Sequence, residues 1–525
     1  MKKRIALIVA AMMLVSTMLA GCGGTTTTGS SSAGKEKVLI YARGADSMSL
    51  DPIMIEDGES AKVVANIYDT LVRYKQGSTE VEPALATDWT TSADGKEWTF
   101  HLRKGVKFHD GTPFNAEAVK FNIERQLPPN QTAEMPYADF TFGMIDKVTV
   151  VDDYTVKFNL KYPYAPFLLN LAMSLSAPMA SPDAVKKYGK DFGQHPVGTG
   201  PFVFDSWEKD AQITLKANKD YWDGAPKVDK LIFQVVKENS VRANKLLAGE
   251  VDIIDGIDPN DVDRVKSDPN VNFVTSPGMN INYMGLRTDR KPFNDPRVRQ
   301  AVSMAINRDE LVKNLYKGNA VVANGPLPPI LFGYDKDLKP YGYDPEKAKE
   351  LLKEAGVPNL SFELMSYPNP RPYNAVGGDS LATAIQGYLA KIGVTVKITS
   401  ANWKEHKDNV RNGKGDAYLY GWIGDNGDPD NFLFALLHSS QIGQGRLNDS
   451  GYKNAQFDDL LMKAQQTSNK DERLKYYTQA QEILVKDAPW VFISHSMDMA
   501  ATRKNVTNFS LHPTGVVFLR GTGKN

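Results

Sequence analysis

One cysteine, Cys22, stands in a chain of 525 residues. No internal disulfide can form, so the fold must stand on its core alone. Histidine is scarce too, at seven residues, and none is spaced as a metal pair. HExxH is absent, and a zinc site built from several cysteines is excluded. There is no P-loop and no dinucleotide glycine pattern. Charge of one sign is not in excess either, since Lys plus Arg and Asp plus Glu each number 62. That balance argues against a nucleic-acid binder. The one basic run is "MKKR" at the start. Beyond the N-terminal segment, no apolar run approaches the roughly 20 residues of a membrane span.

What is present begins with an export signal over residues 1–21. "MKKR" is a positive n-region, "IALIVAAMMLV" a short apolar h-region. Leu19-Ala20-Gly21-Cys22 resembles the bacterial lipoprotein box, and the alternative is a plain signal peptide with an incidental cysteine. The resemblance implies that Cys22 carries lipid and becomes the mature N-terminus. Residues 22–36, "CGGTTTTGSSSAGKE", then form a flexible tether with a mean reach of roughly 20 Å. The expected location is the outer face of the cytoplasmic membrane, with the membrane as a partner through Cys22.

The body is long enough for two or three domains of about 100–200 residues each. At 42% hydrophobic and 24% charged the full sequence has an ordinary globular composition. "ESAKVVANIYDTLVRY" has helical spacing, while "KEWTFHLRKGVKF" and "KVTVVDDYTVKFNL" alternate as strands, the latter turning at Asp152-Asp153. Short strands dominate about 207–287. Next comes one long helical segment, "NDPRVRQAVSMAINRDELVKNLY". In "DPEKAKELLKEAG" Asp344 caps, Pro345 opens and Gly356 stops a helix. Strand and helix then alternate through "SFELMSY", "SLATAIQGYLAKIG", "VTVKIT", "NWKEHKDNVRNG" and "DAYLYGWI", which predicts an α/β class with partly parallel strands.

Several motifs carry no chemistry. "GGDSLA" spells an esterase motif, but Asp379 reads as the N-cap of the following helix and Ser380 not as a nucleophile. "PVGTGPF" lacks the lysine of a phosphate cradle and reads as a tight, rigid connection. "DNGDPD" lacks the alternating ligands and final Glu of a calcium loop.

Two charged sites remain. "NPRPYN" fixes Arg371 between two prolines, which stiffen its backbone, with Tyr373 beside it. Such an arginine is either a solvated loop residue or a guanidinium preoriented for a carboxylate. The other site is "WIGDNGDPDNF", with three carboxylates and no Lys or Arg. Asp428 precedes Pro429 and an apolar run, so it reads as a helix N-cap. Asp430 falls in the first turn, where it suits the helix dipole. Asp425, after Gly424 on a loop at a strand's end, is left to hold a cation such as an ammonium.

Nearly all of the mature sequence is similar to the extracytoplasmic solute-binding proteins of peptide-importing ABC transporters. The resemblance is carried by "EPALATDWTTSADGKEWTFHLRKGVKFHDGTPFNAEAVKF", "PVGTGPF", "PFNDPRVRQAVSMAINRDEL" and "YGWIGDNGDPDNF". "RPYN" followed by "GWIGDNGDPDNF" resembles the dipeptide-binding branch. The resemblance implies a two-lobed fold with an extra domain inserted in the first lobe. The expected division is residues 37–74, 195–285 and 497–525 in lobe I, 75–194 in the inserted domain and 286–496 in lobe II. It implies that Arg371 binds a peptide's carboxylate and Asp425 its α-ammonium, with Trp422, Tyr373 and Gly424 also at the ligand. Trp422 and Tyr420 read equally as strand core. A monomer that hands its peptide to a permease and ATPase is expected, with no cofactor and no metal. The family also holds binders of glutathione, haem and nickel complexes, and a sensor or adhesion role uses the same fold. A peptidase has no nucleophile, base or metal set here.

Overall fold

One strand, Trp490–Arg503, organises the body. Its sequence, WVFISHSMDMAATR, is almost wholly buried, as its aromatic and aliphatic residues require. Its first part pairs antiparallel with Asn280–Leu286, its middle with Ala320–Val322, and its last part with Val271–Pro277 and Ile253–Asp255. The strands Val271–Pro277 and Asn280–Leu286 follow one another with Gly278 and Met279 between them. Two chain segments thus pass side by side from one half of a 12-stranded sheet to the other. The crossing is pinned by Asn280. Its Nδ2 donates to the Ser496 carbonyl at 3.0 Å, and its Oδ1 accepts from the Ser496 N–H at 2.8 Å.

The computed structural model describes residues 36–525, and Lys37–Asn525 form one compact unit. Cys22 and the export signal lie outside the described residues. On one side of the crossing, Val38–Arg43 runs parallel to Lys230–Val235 and Ile253–Asp255. From this side projects a separate four-stranded antiparallel sheet within residues 86–160. Its hairpin pairs Ile145–Asp152 with Thr155–Leu160, so the turn sits at Asp153-Tyr154, one residue later than the spacing suggested. On the other side, Ser361–Ser366 runs parallel to Thr395–Ser400 and Ala417–Ile423, and Ala417–Ile423 pairs antiparallel with Asn280–Leu286. The helices Gly378–Ala390 and Trp403–Arg411 make the crossovers that parallel strands need. The class is α/β with two lobes, as expected.

Asp344 caps the helix Pro345–Glu354, and Gly356 follows it with φ +75°. "PVGTGPF" is tied down, with Gly200 N–H donating to the Ile67 carbonyl and His109 N–H to that of Gly198. Three local expectations change. The first helix stops at Ile67, and Val72–Tyr74 becomes a strand paired with Val81–Pro83, because tertiary pairing overrides a spacing that suits both. The long helical segment breaks into Pro296–Ala305 and Arg308–Tyr316, where Asn307 caps the second helix by accepting from Glu310 N–H. Asp379 does not cap. It lies inside the helix Gly378–Ala390 and accepts from the Ser366 and Ser400 hydroxyls at 2.7 and 2.9 Å, tying two strand ends together.

Candidate functional site

Arg371 stands on the loop between the strand Ser361–Ser366 and the helix Gly378–Ala390. The loop closes on itself. Arg371 N–H donates to the Asn374 carbonyl at 2.9 Å, and Asn374 N–H returns a bond to the Arg371 carbonyl at 2.8 Å. The guanidinium carbon lies 3.9 Å from the centre of the Trp403 ring. Trp403 in turn stacks on Tyr420, with centroids 5.3 Å apart. An aromatic shelf therefore orients the cation. Among the described residues Arg371 has no carboxylate partner, and its buried Nε has no hydrogen bond. Burial pulls this guanidinium below its ordinary pKa, and nearby phenols oppose that pull. A half-buried cation with open donors is set for an anion from outside the chain. Trp403 went unnoticed in the sequence, where it opens a polar helix; a tryptophan at the start of such a helix is the signal that could have found it.

Asp425 follows the strand Ala417–Ile423. The Tyr137 hydroxyl donates to its Oδ2 at 2.8 Å and Asn431 Nδ2 at 3.2 Å. Asn431 Oδ1 accepts from the Asp425 N–H at 3.0 Å and from Trp422 Nε1 at 2.9 Å. Among the described residues no cation pairs with Asp425 and no donor reaches Oδ1. Burial pushes its carboxyl up to about 7, against the two hydrogen bonds. A positive group arriving here would be met by a carboxylate with nothing else to neutralise it.

The other two carboxylates of the turn have different partners. Asp428 Oδ1 accepts from Asp430 N–H at 3.0 Å, the capping role expected. The helix itself begins at Asp430, with Pro429 already helical in front of it. The larger fact is an ion pair. Arg473 Nη2 lies 2.8 Å from both Asp428 oxygens, and the two residues are 7% and 1% exposed. Asp430 is not a solvated dipole residue, as its position had suggested. It is fully buried and accepts from the Tyr164 hydroxyl and from Gln465 Nε2, each at 2.8 Å. Burial, then the charge of Asp428, pushes its carboxyl up to about 7.

The remaining candidates separate. Trp422 is half-buried and joined to Asp425 through Asn431, so it belongs to the acidic end. Tyr373 is buried, and its ring fills the place of a side chain at Gly421, where a Cβ would come within 2.2 Å of it. Gly424 is needed for packing, since a Cβ there would lie 2.7 Å from Phe432 and 2.9 Å from Met279. Tyr420 is buried and supports Trp403. Ser380 is exposed. The loop of Arg371 thus packs at Gly421, and Asp425 follows four residues later, a span of at most about 14 Å. Both charges stand at one end of the strand Ala417–Ile423.

Facing groups bridge to this end from the other side of the crossing. Glu56 pairs with Lys407 at 2.7 Å and Arg411 at 3.1 Å, both on the helix that opens with Trp403. Burial raises the Glu56 carboxyl, but Arg411 and Lys407 overcome it and hold the group below the usual range. Asn426 Nδ2 donates to Asn170 Oδ1 at 2.7 Å.

A two-lobed α/β fold with opposite charges at one strand end fits the class of solute-binding proteins. Residues 80–444 match the family described as bacterial extracellular solute-binding proteins, family 5 Middle, and the chain belongs to that family. It is therefore an extracytoplasmic binding protein and not an enzyme. It is 37% identical over 503 residues to the dipeptide-binding protein of Escherichia coli K12, covering 91% of this chain and 93% of the relative. It is also 37% identical over 519 residues to heme-binding protein A of Haemophilus influenzae, covering 92% and 91%. The dipeptide binding protein of Pseudoalteromonas sp. SM9913 in complex with Met-Leu superposes with a TM-score of 0.87 at 30% identity, over 93% of this chain and 100% of that one. The DppA periplasmic binding protein of Helicobacter pylori in complex with peptide STSA gives 0.85 at 37%, over 93% and 98%.

Proposed function

We propose that this chain captures dipeptides between its lobes and delivers them to the permease of an ABC importer. Arg371 takes the peptide carboxylate and Asp425 the α-ammonium, with Trp422 beside the ammonium. The reading is carried by one observation: a partly buried guanidinium and a partly buried carboxylate flank one strand end, and among the described residues neither has an opposite charge beside it. A dipeptide is a zwitterion whose charge separation is set by its backbone, so two fixed groups measure length and ignore side chains. Relatives named for dipeptides support this choice of solute. The crossing at 277–280 and 494–498 is the hinge on which the two lobes close. The protein acts as a monomer, anchored by lipid at Cys22.

Calorimetric titration with a free dipeptide, its N-acetyl form and its C-terminal amide tests the reading. The free form should bind at about micromolar or tighter, and each blocked form several kcal/mol more weakly, because one partly buried charge loses its partner. Equal affinity for all three would overturn it. Tight binding of pentapeptides would replace the dipeptide with longer peptides.

A further inference from the structure

We propose that Tyr316 and Asn374 are positioning residues, which fix the Arg371 guanidinium for the ligand carboxylate by tying its loop to the strand that leaves the crossing. The inference rests on the reading of Arg371 given above. Asn374 is fully buried, and its backbone makes both hydrogen bonds that close the Arg371 loop. Its side chain is held from two directions. Oδ1 accepts from the Tyr316 hydroxyl at 2.8 Å, and Nδ2 donates to the Tyr367 hydroxyl at 3.2 Å. The Tyr316 oxygen also accepts from Asn282 Nδ2 at 2.9 Å. Asn282 lies on Asn280–Leu286, two residues beyond Asn280, which pins the crossing. The line therefore runs from the crossing through Asn282 and Tyr316 to Asn374 and the backbone of Arg371.

A second tether ends on the same loop. The Ser496 hydroxyl donates to the Tyr373 carbonyl at 2.8 Å, and Ser496 N–H donates to Asn280 Oδ1. Asn282, Tyr316, Tyr367, Asn374 and Ser496 are each no more than 3% exposed. Bonds buried this deeply are costly to break, which favours the present setting of the loop. Among the described residues the Arg371 side chain has no hydrogen-bond partner, and the Trp403 face limits its height but not its rotation. The direction of the fork is thus decided by the backbone beneath it. Movement at the crossing would reach the carboxylate grip through the same bonds, without any residue of the line touching ligand.

The test is the ratio of affinities for a free dipeptide and its C-terminal amide, measured for wild type, Arg371→Met and Tyr316→Phe. Tyr316→Phe keeps the ring and removes the hydroxyl. It should weaken the free dipeptide about tenfold and the amide less than about twofold, because only the carboxylate contact depends on the setting of Arg371. A merely structural role would weaken both ligands equally, and that result, or an unchanged ratio, would overturn the proposal. If wild type itself does not distinguish acid from amide, the reading of Arg371 fails, a separate outcome that removes the basis of the proposal. Should Tyr316→Phe not fold, Ser496→Ala removes the second tether and is held to the same ratio.

Discussion

The Tyr137 hydroxyl donates a 2.8 Å hydrogen bond to Asp425 Oδ2, joining residues 288 positions apart. The carboxylate assigned to the ligand ammonium is thereby oriented before any ligand arrives. That bond lowers the pKa of a group that burial has pushed up to about 7.

A pH dependence follows from that raised value. The folded state keeps protons on Asp425, Asp430 and Asp498, each near 7, that the unfolded chain has released above about 4. At these three positions the folded state binds more protons in that window, so the stability they contribute is lost as pH rises from about 4 through about 7. Buried His406, His495 and His512, held down to about 4, act in the opposite direction between about 4 and 6.5, so the measurement is a comparison. Ligand-free Asp425→Asn should melt with less loss of stability between pH 5.5 and pH 8 than wild type. Dipeptide affinity should run the other way, rising with pH until Asp425 is ionised. Tyr137→Phe should move that affinity midpoint upward and weaken binding at pH 7 by about 1 kcal/mol. An affinity that is flat between pH 5.5 and 8 would disprove the role of Asp425.

The three acids of the turn should separate on mutation. Asp425→Asn should leave folding intact or slightly improved and cost about 3–5 kcal/mol of dipeptide affinity, since the ligand ammonium loses its charge partner. Asp428→Ala should cost about 3–5 kcal/mol of stability, well beyond the loss of a cap, because it strands the buried Arg473. Asp430→Asn removes a carboxyl that burial pushes up to about 7, so its effect should be about 1–2 kcal/mol, from one disturbed hydrogen bond. Calorimetry and thermal melts of the three variants side by side check the assignment. Loss of binding in Asp428→Ala with retention in Asp425→Asn would reverse it.

Glu56 closes an ionic bridge to Lys407 and Arg411 across the cleft. These groups are 15–33% exposed, so the bridge should contribute about 1 kcal/mol and weaken with salt. Glu56→Gln should shift the ligand-free protein toward an open form, read as a larger radius of gyration in small-angle scattering, and lower affinity several-fold. An unchanged radius and affinity would remove Glu56 from closure.

Cys22→Ser should release the protein from the membrane fraction with dipeptide affinity unchanged. A variant that stays with the membrane would place the anchor in the apolar segment before Cys22, not in lipid.

The local alphabet of the chain determined a good deal. Period-two and helical spacing marked the strands and helices around the site, and Asp344-Pro345 marked a helix start that the fold keeps. Prolines on either side of Arg371 announced a stiff loop, and sorting the acids of the turn left Asp425 without a task in its own helix or strand. Tertiary structure decided which partner each charge has. Trp403 lies beneath Arg371, Arg473 meets Asp428 from 45 residues away, and Tyr164 meets Asp430 from 266. In sequence Asp428 reads only as a cap and Asp430 only as a dipole residue, because local spacing records a residue's place in its own element and not its distant partners. Whether a carboxylate is ionised, paired or left for a ligand depends on burial and on groups brought from other elements, and those distances exist only once the chain has folded.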